Sequence, residues 1–265
     1  MGPEMIVVVV GMHRSGTSAV AGLLHLNQIL MGEDRDFRPK PRPENPKGYY
    51  ENYPLRRIND ALLEAHGYRV KELDPLVPTI HPGFYLRWRM RRMIKRYDRK
   101  YRIWGWKDPR TCLTLDCWAQ QLQAMGLLDH SKVVFVVRNP RSVARSMSKR
   151  KWTQRSEIEL LELWRIYNEK ALMDIDRFKI QTCYLAYERI QADPLGAMAR
   201  LSRFLKHEFN DEITHEFISP NLDRSSKQIP SEGEEQVDAR VREAQDKIQN
   251  RIDAQVNQSS IGTRQ

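Results

Sequence analysis

Two segments of this chain set a cation and hydroxyls immediately after a run of β-branched residues, a spacing suited to gripping anions. The first begins with the apolar run 6–10 (Ile-Val-Val-Val-Val). It continues as Gly11-Met-His-Arg14-Ser15-Gly16-Thr17-Ser18, whose glycines have the G-x-x-x-x-G spacing of a phosphate loop. Gly16 lets the backbone approach a ligand closely. The amides that follow, at the positive end of the next helix, then point at an anion. Thr17 and Ser18 add hydroxyl donors. A nucleoside-triphosphate loop has Lys after the second glycine. Here Thr17 stands in that place, and the cation is Arg14, inside the loop. The second segment runs through the apolar residues 133–137 to Arg138, turns at Asn139-Pro140 and reaches Ser146 eight residues beyond Arg138. A residue ending a strand and one about two turns into the next helix can converge on one ligand beyond the strand ends. Arg138 offers a bidentate fork for a phosphate dianion, and Ser146 a hydroxyl. Arg141 and Arg145 are alternative anchors or solvated helix charges.

Together these motifs resemble the PAPS-dependent sulfotransferases. In that family Lys or Arg precedes Ser-Gly-Thr-Thr/Ser in the 5′-phosphosulfate loop, and a strand-end Arg with a Ser on the following helix binds the 3′-phosphate. The resemblance is to the bacterial type, with a likeness to tyrosylprotein sulfotransferases in Lys107-Asp-Pro. It implies the P-loop-like sulfotransferase fold and PAPS as donor, with no metal. It also implies donor contacts from Arg14, Ser15, Gly16, Thr17, Ser18, Arg138 and Ser146. Lys107 corresponds to the lysine that contacts the bridging oxygen, so Arg14, Lys107 and the loop amides would meet charge on the leaving phosphate. Arg110 serves the same anion or caps a helix. Cytosolic members carry a basic His on the Lys107 loop, and this loop has none. Other members use a Glu that starts the helix after the second strand, a place Glu51 occupies here. Glu33, in Gly-Glu after the short strand, is the rival base. His13 is read as a supporting residue, and His25 and His66 as helix-surface residues. The likeness weakens beyond residue 220, where 221–227 match a donor-binding loop only loosely.

The surrounding pattern must supply elements that hold these groups. Strands are expected at 6–10, 101–106, 132–137 and 179–185, with a short one at 27–31. Helices are expected at 18–26, 51–65, 84–101, 113–125, 140–150, 157–178, 194–205 and 212–218. Such alternation predicts an α/β fold with a doubly wound, mainly parallel central sheet flanked by helices. Residues 1–230 form the expected sulfotransferase domain. Residues 231–265 read as a polar C-terminal extension, helical or partly disordered, with an apolar stripe at Val237, Val241, Ala244, Ile248 and Ile252. The loop 32–47 is unusually long, which favours a functional role.

The chain has 265 residues, net charge +10 and three cysteines. Three cysteines without a C-x-x-C motif point to a reducing compartment, and a cytoplasmic location is expected. No apolar run approaches the roughly 18 residues that span a bilayer. The expected partner is an acceptor carrying a hydroxyl or amine. The basic, Trp-bearing segment 86–102 suggests an anionic or amphipathic acceptor, whether glycan, lipid or small metabolite. Peripheral membrane contact and an oligomer are both compatible with this chain. No base-stacking motif or reader module makes nucleic acid an expected partner. The competing readings are a nucleotide or small-molecule kinase and a non-catalytic basic anion-binding protein. A kinase loop would want Lys at position 17 and an acidic magnesium ligand ending a buried strand.

Overall fold

The structure is a computed structural model that describes residues 4–38, 40–41, 45, 47–149, 153–218 and 235–261. The β-branched run becomes strand β1 (Met5–Val10), buried along its whole length. Such a strand needs cover on both faces, and it has parallel neighbours on both sides. The described sheet has the order β2 (Ile103–Lys107), β1, β3 (Ser131–Val137), β4 (Gln181–Ala186), all parallel. Alternate residues feed two cores. Ile6, Val8 and Val10 join Phe135 and Val137 under α4 (Thr111–Ala124), α5 (Pro140–Ser148) and α6 (Glu157–Phe178). Met5, Val7 and Val9 join Val134 and Val136 under α1 (Thr17–Leu26) and α8 (Pro194–Leu205). The sheet is therefore doubly wound, as expected.

Local chemistry fixes where the loops end. The Asn52 side chain accepts from Leu55 N and starts α2 (Tyr53–Glu64), and Asn139 accepts from Ser142 N and starts α5. Pro follows in the first turn of each, where its missing N–H costs nothing. Glu51 and Arg138 thus stand directly before capped helices. A capping box of Ser156 and Glu159 opens α6, whose stripe from Leu160 to Ile175 is buried. α3 (Phe84–Asp98) packs on α2 and α4. α9 (Asp211–Phe217) packs on α1 and α8.

Three expectations change. The short strand at 27–31 reduces to one parallel bridge, Leu30 with Trp104, on the outer side of β2. Left-handed backbone at Gln28 (φ 67) and Gly32 (φ 155) cuts the extended run short. The helix from 84 stops at Asp98 instead of residue 101. A short helix, α7 (Tyr187–Ala192), follows β4 directly and was not expected. Residues 221–227, the loosely matched donor loop, lie outside the described residues.

α10 (Glu235–Ile261) lays Val241, Ala244, Ile248 and Ile252 into the same core as β1, against α6 and β4. It also closes the sheet edge. Tyr184 N donates to Gln255 Oε1 (3.0 Å), and Gln255 Nε2 donates to Thr182 O (2.5 Å). Arg200 on α8 donates to Tyr184 O. Side chains thus satisfy outward backbone groups of β4.

Candidate active site

Four strand ends converge on one crevice, as ligand sites in open parallel sheets do. β1 delivers the Gly11–Gly16 loop, β2 ends on Lys107, β3 leads into Arg138 and β4 into Tyr187. Residues from all four line the crevice, Arg14, Gly16, Lys107, Arg138 and Tyr187 among them.

The loop turns tightly because two residues take left-handed backbone, Arg14 at φ 70 and Gly16 at φ 88. A Cβ on Gly16 would lie 2.1 Å from the Tyr187 ring. α1 begins here with no side-chain cap and no acidic residue in its first turn. Its leading amides and dipole therefore face the crevice uncompensated, which suits an anion. Thr17 and Ser18 line the crevice. Ser15 does not; it is fully buried, and its hydroxyl is an orphaned polar atom.

The two sequence motifs meet in space. Arg14 Nε donates to Ser146 Oγ at 3.0 Å, across 132 residues of sequence. Arg138 Nη1 donates to Arg14 O at 3.3 Å. The Arg138 guanidinium sits 4.8 Å over the Tyr187 ring, and Trp164 Nε1 donates to Arg138 O. Arg14, Arg138 and Ser146 therefore form one cluster.

Lys107 is 2% exposed, and its ammonium donates to Glu51 Oε1 (2.9 Å), Ser18 Oγ (3.1 Å) and Tyr49 O (3.1 Å). An ammonium has three hydrogens, so a ligand at Lys107 must displace one of these acceptors. Glu51 also faces Arg56 Nη1 at 3.5 Å. Behind this pair, Asp108 accepts from Asn59 (2.9 Å) and from Arg110 Nη1 (2.8 Å). Burial would raise the Asp108 carboxyl, but the adjacent Arg110 and its other donors hold it below the usual range. Arg110 Nε also pairs with Asp60 at 2.7 Å, so Arg110 braces the loop and does not line the crevice. Asp108 is committed to Arg110, leaving Lys107 to Glu51.

Glu33 stands apart. Its carboxylate takes Lys100 (2.8 Å), Arg96 (3.2 Å), Tyr101 and Arg35. The hydrogen bond from Lys100 leads in holding its pKa down at about 2. Glu33 does not line the crevice. His13 does line it. Burial, reinforced by Arg110, lowers its pKa to about 3, so the imidazole is neutral near pH 7.

Some lining residues escaped the sequence reading. Tyr187 follows the last residue of β4, and attention to every strand end would have found it. Lys47 carries no such signal, because it sits in a proline-rich loop. Its ammonium donates to Glu216 O (2.8 Å) and Phe217 O (2.6 Å) at the end of α9, fastening the loop across the crevice. The basic segment of α3 is not part of the lining. Arg89, Arg91 and Arg92 are not among the residues that line the crevice.

Residues 7–211 match the family model for the sulfotransferase family. No curated protein matches the chain. Among solved structures, the chain is similar to the sulfotransferase domain from the curacin biosynthetic pathway. The two share 16% identity at a TM-score of 0.54, over 90% of this chain and 96% of that one. It is also similar to the sulfotransferase domain of the Synechococcus PCC 7002 olefin synthase, at 17% identity and TM-score 0.49, over 91% and 94%. Sulfotransferase STF1 from Mycobacterium tuberculosis H37Rv gives 19% and 0.44, over 81% and 71%. At these identities the first structure supports the fold, and the others add no argument.

Proposed function

The chain belongs to the sulfotransferase family, and from that premise we propose that it moves a sulfuryl group from PAPS to a hydroxyl or amine of an acceptor, releasing PAP. The observation that carries this reading is the meeting of Arg14, Lys107 and Arg138 in one crevice, with Glu51 fixed on Lys107 at 2.9 Å. The residues present fit a donor with two anionic ends. The uncapped α1 terminus, Arg14, Thr17 and Ser18 suit a 5′-phosphosulfate. Arg138 with Ser146 suits a 3′-phosphate. PAPS, when bound, supplies the activated sulfuryl group. Lys107 gives up one of its three acceptors and meets the negative charge that develops on the leaving phosphate. Glu51, relieved of part of its pairing with Lys107, accepts the acceptor's proton at a carboxylate oxygen. Arg56 holds the other oxygen and so keeps the carboxylate oriented. Tyr187 supports Arg138 and walls the loop at Gly16.

The acceptor would meet Lys47, Gly48, Tyr49 and Phe217, which line the crevice beside Glu51 and Lys107. An anionic or amphipathic acceptor suits the basic surroundings. Free, buried cysteines are consistent with a cytoplasmic enzyme.

The test compares binding of PAP with ADP and with ATP, each with and without magnesium. The reading expects PAP to bind more tightly than ADP, independently of magnesium. ATP with magnesium binding far better than PAP would replace it with a kinase. Incubation with labelled PAPS and a panel of acceptors then separates an enzyme from a binding protein, because only turnover transfers the label.

A further inference from the structure

α3 is amphipathic in an unusual sense. Met90, Met93, Ile94 and Tyr97 bury one side against α2 and α4. The opposite side is apolar as well at its start. Phe84 is 78% exposed, Tyr85 65% and Trp88 46%. Residues 84, 88, 92, 95 and 99 recur at helical spacing as one outward stripe, so Phe84 and Trp88 run directly into Arg92, Lys95 and Arg99. All five are exposed. Asp98, the last residue, is the helix's one acid against six Arg and Lys. Arg96 and the following Lys100 are paired with Glu33 and Asp36. Among the described residues, no ion pair involves Arg92, Lys95 or Arg99. The rings are also arranged. Tyr85 and Trp88 stack at 6.1 Å, with Arg89 over Tyr85 and Arg92 over Trp88.

We infer that the outer face of α3 docks on the surface of an anionic lipid bilayer. Phe84, Tyr85 and Trp88 enter the boundary between headgroups and acyl chains, and Arg92, Lys95 and Arg99 meet acidic headgroups. Charge complementarity selects an anionic surface, and the rings select a bilayer over a soluble polyanion. Phe84 has no polar atom and gains nothing from a glycan or phosphate chain. Single-stranded nucleic acid stacks on open ring faces, but guanidinium groups already cover faces of Tyr85 and Trp88. Three rings and three cations give shallow, reversible attachment. The inference does not depend on the identity of the donor in the crevice.

The test is co-sedimentation of the full chain with phosphatidylcholine vesicles, with and without phosphatidylserine, read together with tryptophan emission. The expected result is binding only to the phosphatidylserine vesicles, weakening with salt and accompanied by a blue shift. Trp104, Trp106, Trp118 and Trp164 are buried, and Trp152 lies outside the described residues, so the emission is read in a Trp152→Phe background, where Trp88→Phe should lose most of the shift and keep the binding. Replacing Arg92, Lys95 and Arg99 together with Gln should weaken binding by more than about tenfold, since each basic residue near such a surface contributes several-fold. Phe84→Ser with Trp88→Ser should weaken it as well. Far-UV circular dichroism confirms folding, and PAP binding should be unchanged in every variant. Failure of the wild-type chain to sediment with phosphatidylserine vesicles at low salt overturns the inference. So does vesicle binding that tolerates Phe84→Ser with Trp88→Ser while heparin binds the chain equally well, because the face would then be a polyanion site.

Discussion

On the proposed reading the chemistry turns on Lys107 and Glu51, and their burial as a pair sets what substitution should do. Glu51→Gln keeps the shape and a hydrogen-bond acceptor for Lys107, but removes the base. Turnover should fall by about 10²–10⁴, the usual contribution of a positioned base, while PAP affinity changes little. Glu33→Gln should leave turnover near wild type, because Glu33 spends its charge on Lys100 and Arg96. Steady-state kinetics with PAP titrations check both, and loss of turnover in Glu33→Gln alone would reverse the assignment. The residues legible in the sequence were those at strand ends, namely Arg14, Lys107 and Arg138. A β-branched run announces the strand, and its end announces the crevice. The place of Glu51 at the start of an expected helix favoured it over Glu33, but its contact with Lys107 was not legible, because the two are 56 residues apart in the chain. Only the structure brings Glu51 to Lys107 and binds Glu33 to the flank of α3.

At the level of elements, the β1–α1 turn depends on a glycine for two separable reasons. Gly16 has a left-handed backbone, which costs an L-residue about 1–2 kcal/mol, and its missing side chain leaves room for Tyr187. Gly67 offers the control, since its φ is 78 and nothing lies within 4 Å of an added Cβ. Gly16→Ala should therefore lower thermal stability more than Gly67→Ala and should weaken PAP binding, whereas Gly67→Ala should not. Differential scanning fluorimetry with and without PAP reads both, and equal effects would mean that the Tyr187 contact is unimportant. Strands and long helices were legible because burial writes their period into the chain. Leu160, Trp164 and Tyr167 mark α6, and Val133 to Val137 mark β3. α7 was missed because six residues carry too little periodicity, and its Tyr187 was lost with it. The second strand was overread, because Leu30 is flanked by turns that the apolar residues around it concealed.

For the whole molecule, the formal charge is +10, and two groups of its cations stand in different places. Arg14, Lys107 and Arg138 are drawn into the crevice, whereas Arg92, Lys95 and Arg99 stand on the outside of α3. The alternation of strands and helices made the layered architecture legible from the sequence. The apolar stripe of α10 was visible too, but its seat was not, because a helix against β4 and α6 is a contact between distant parts of the chain. Nor could spacing have joined Gln255 to Thr182 and Tyr184, some 70 residues away. Those bonds have a consequence for how copies of the chain behave toward one another. An open parallel sheet is a template for further strands, and β4 is the outer strand on this side of the described sheet. Gln255 and Arg200 occupy the positions where an incoming strand would register. Gln255→Leu should leave the circular dichroism spectrum intact, yet make light scattering rise with protein concentration more steeply than for the parent chain. An unchanged concentration dependence would mean that Arg200 suffices. The side chains that finish the fold at this margin would then also be what keeps one molecule from continuing into the next.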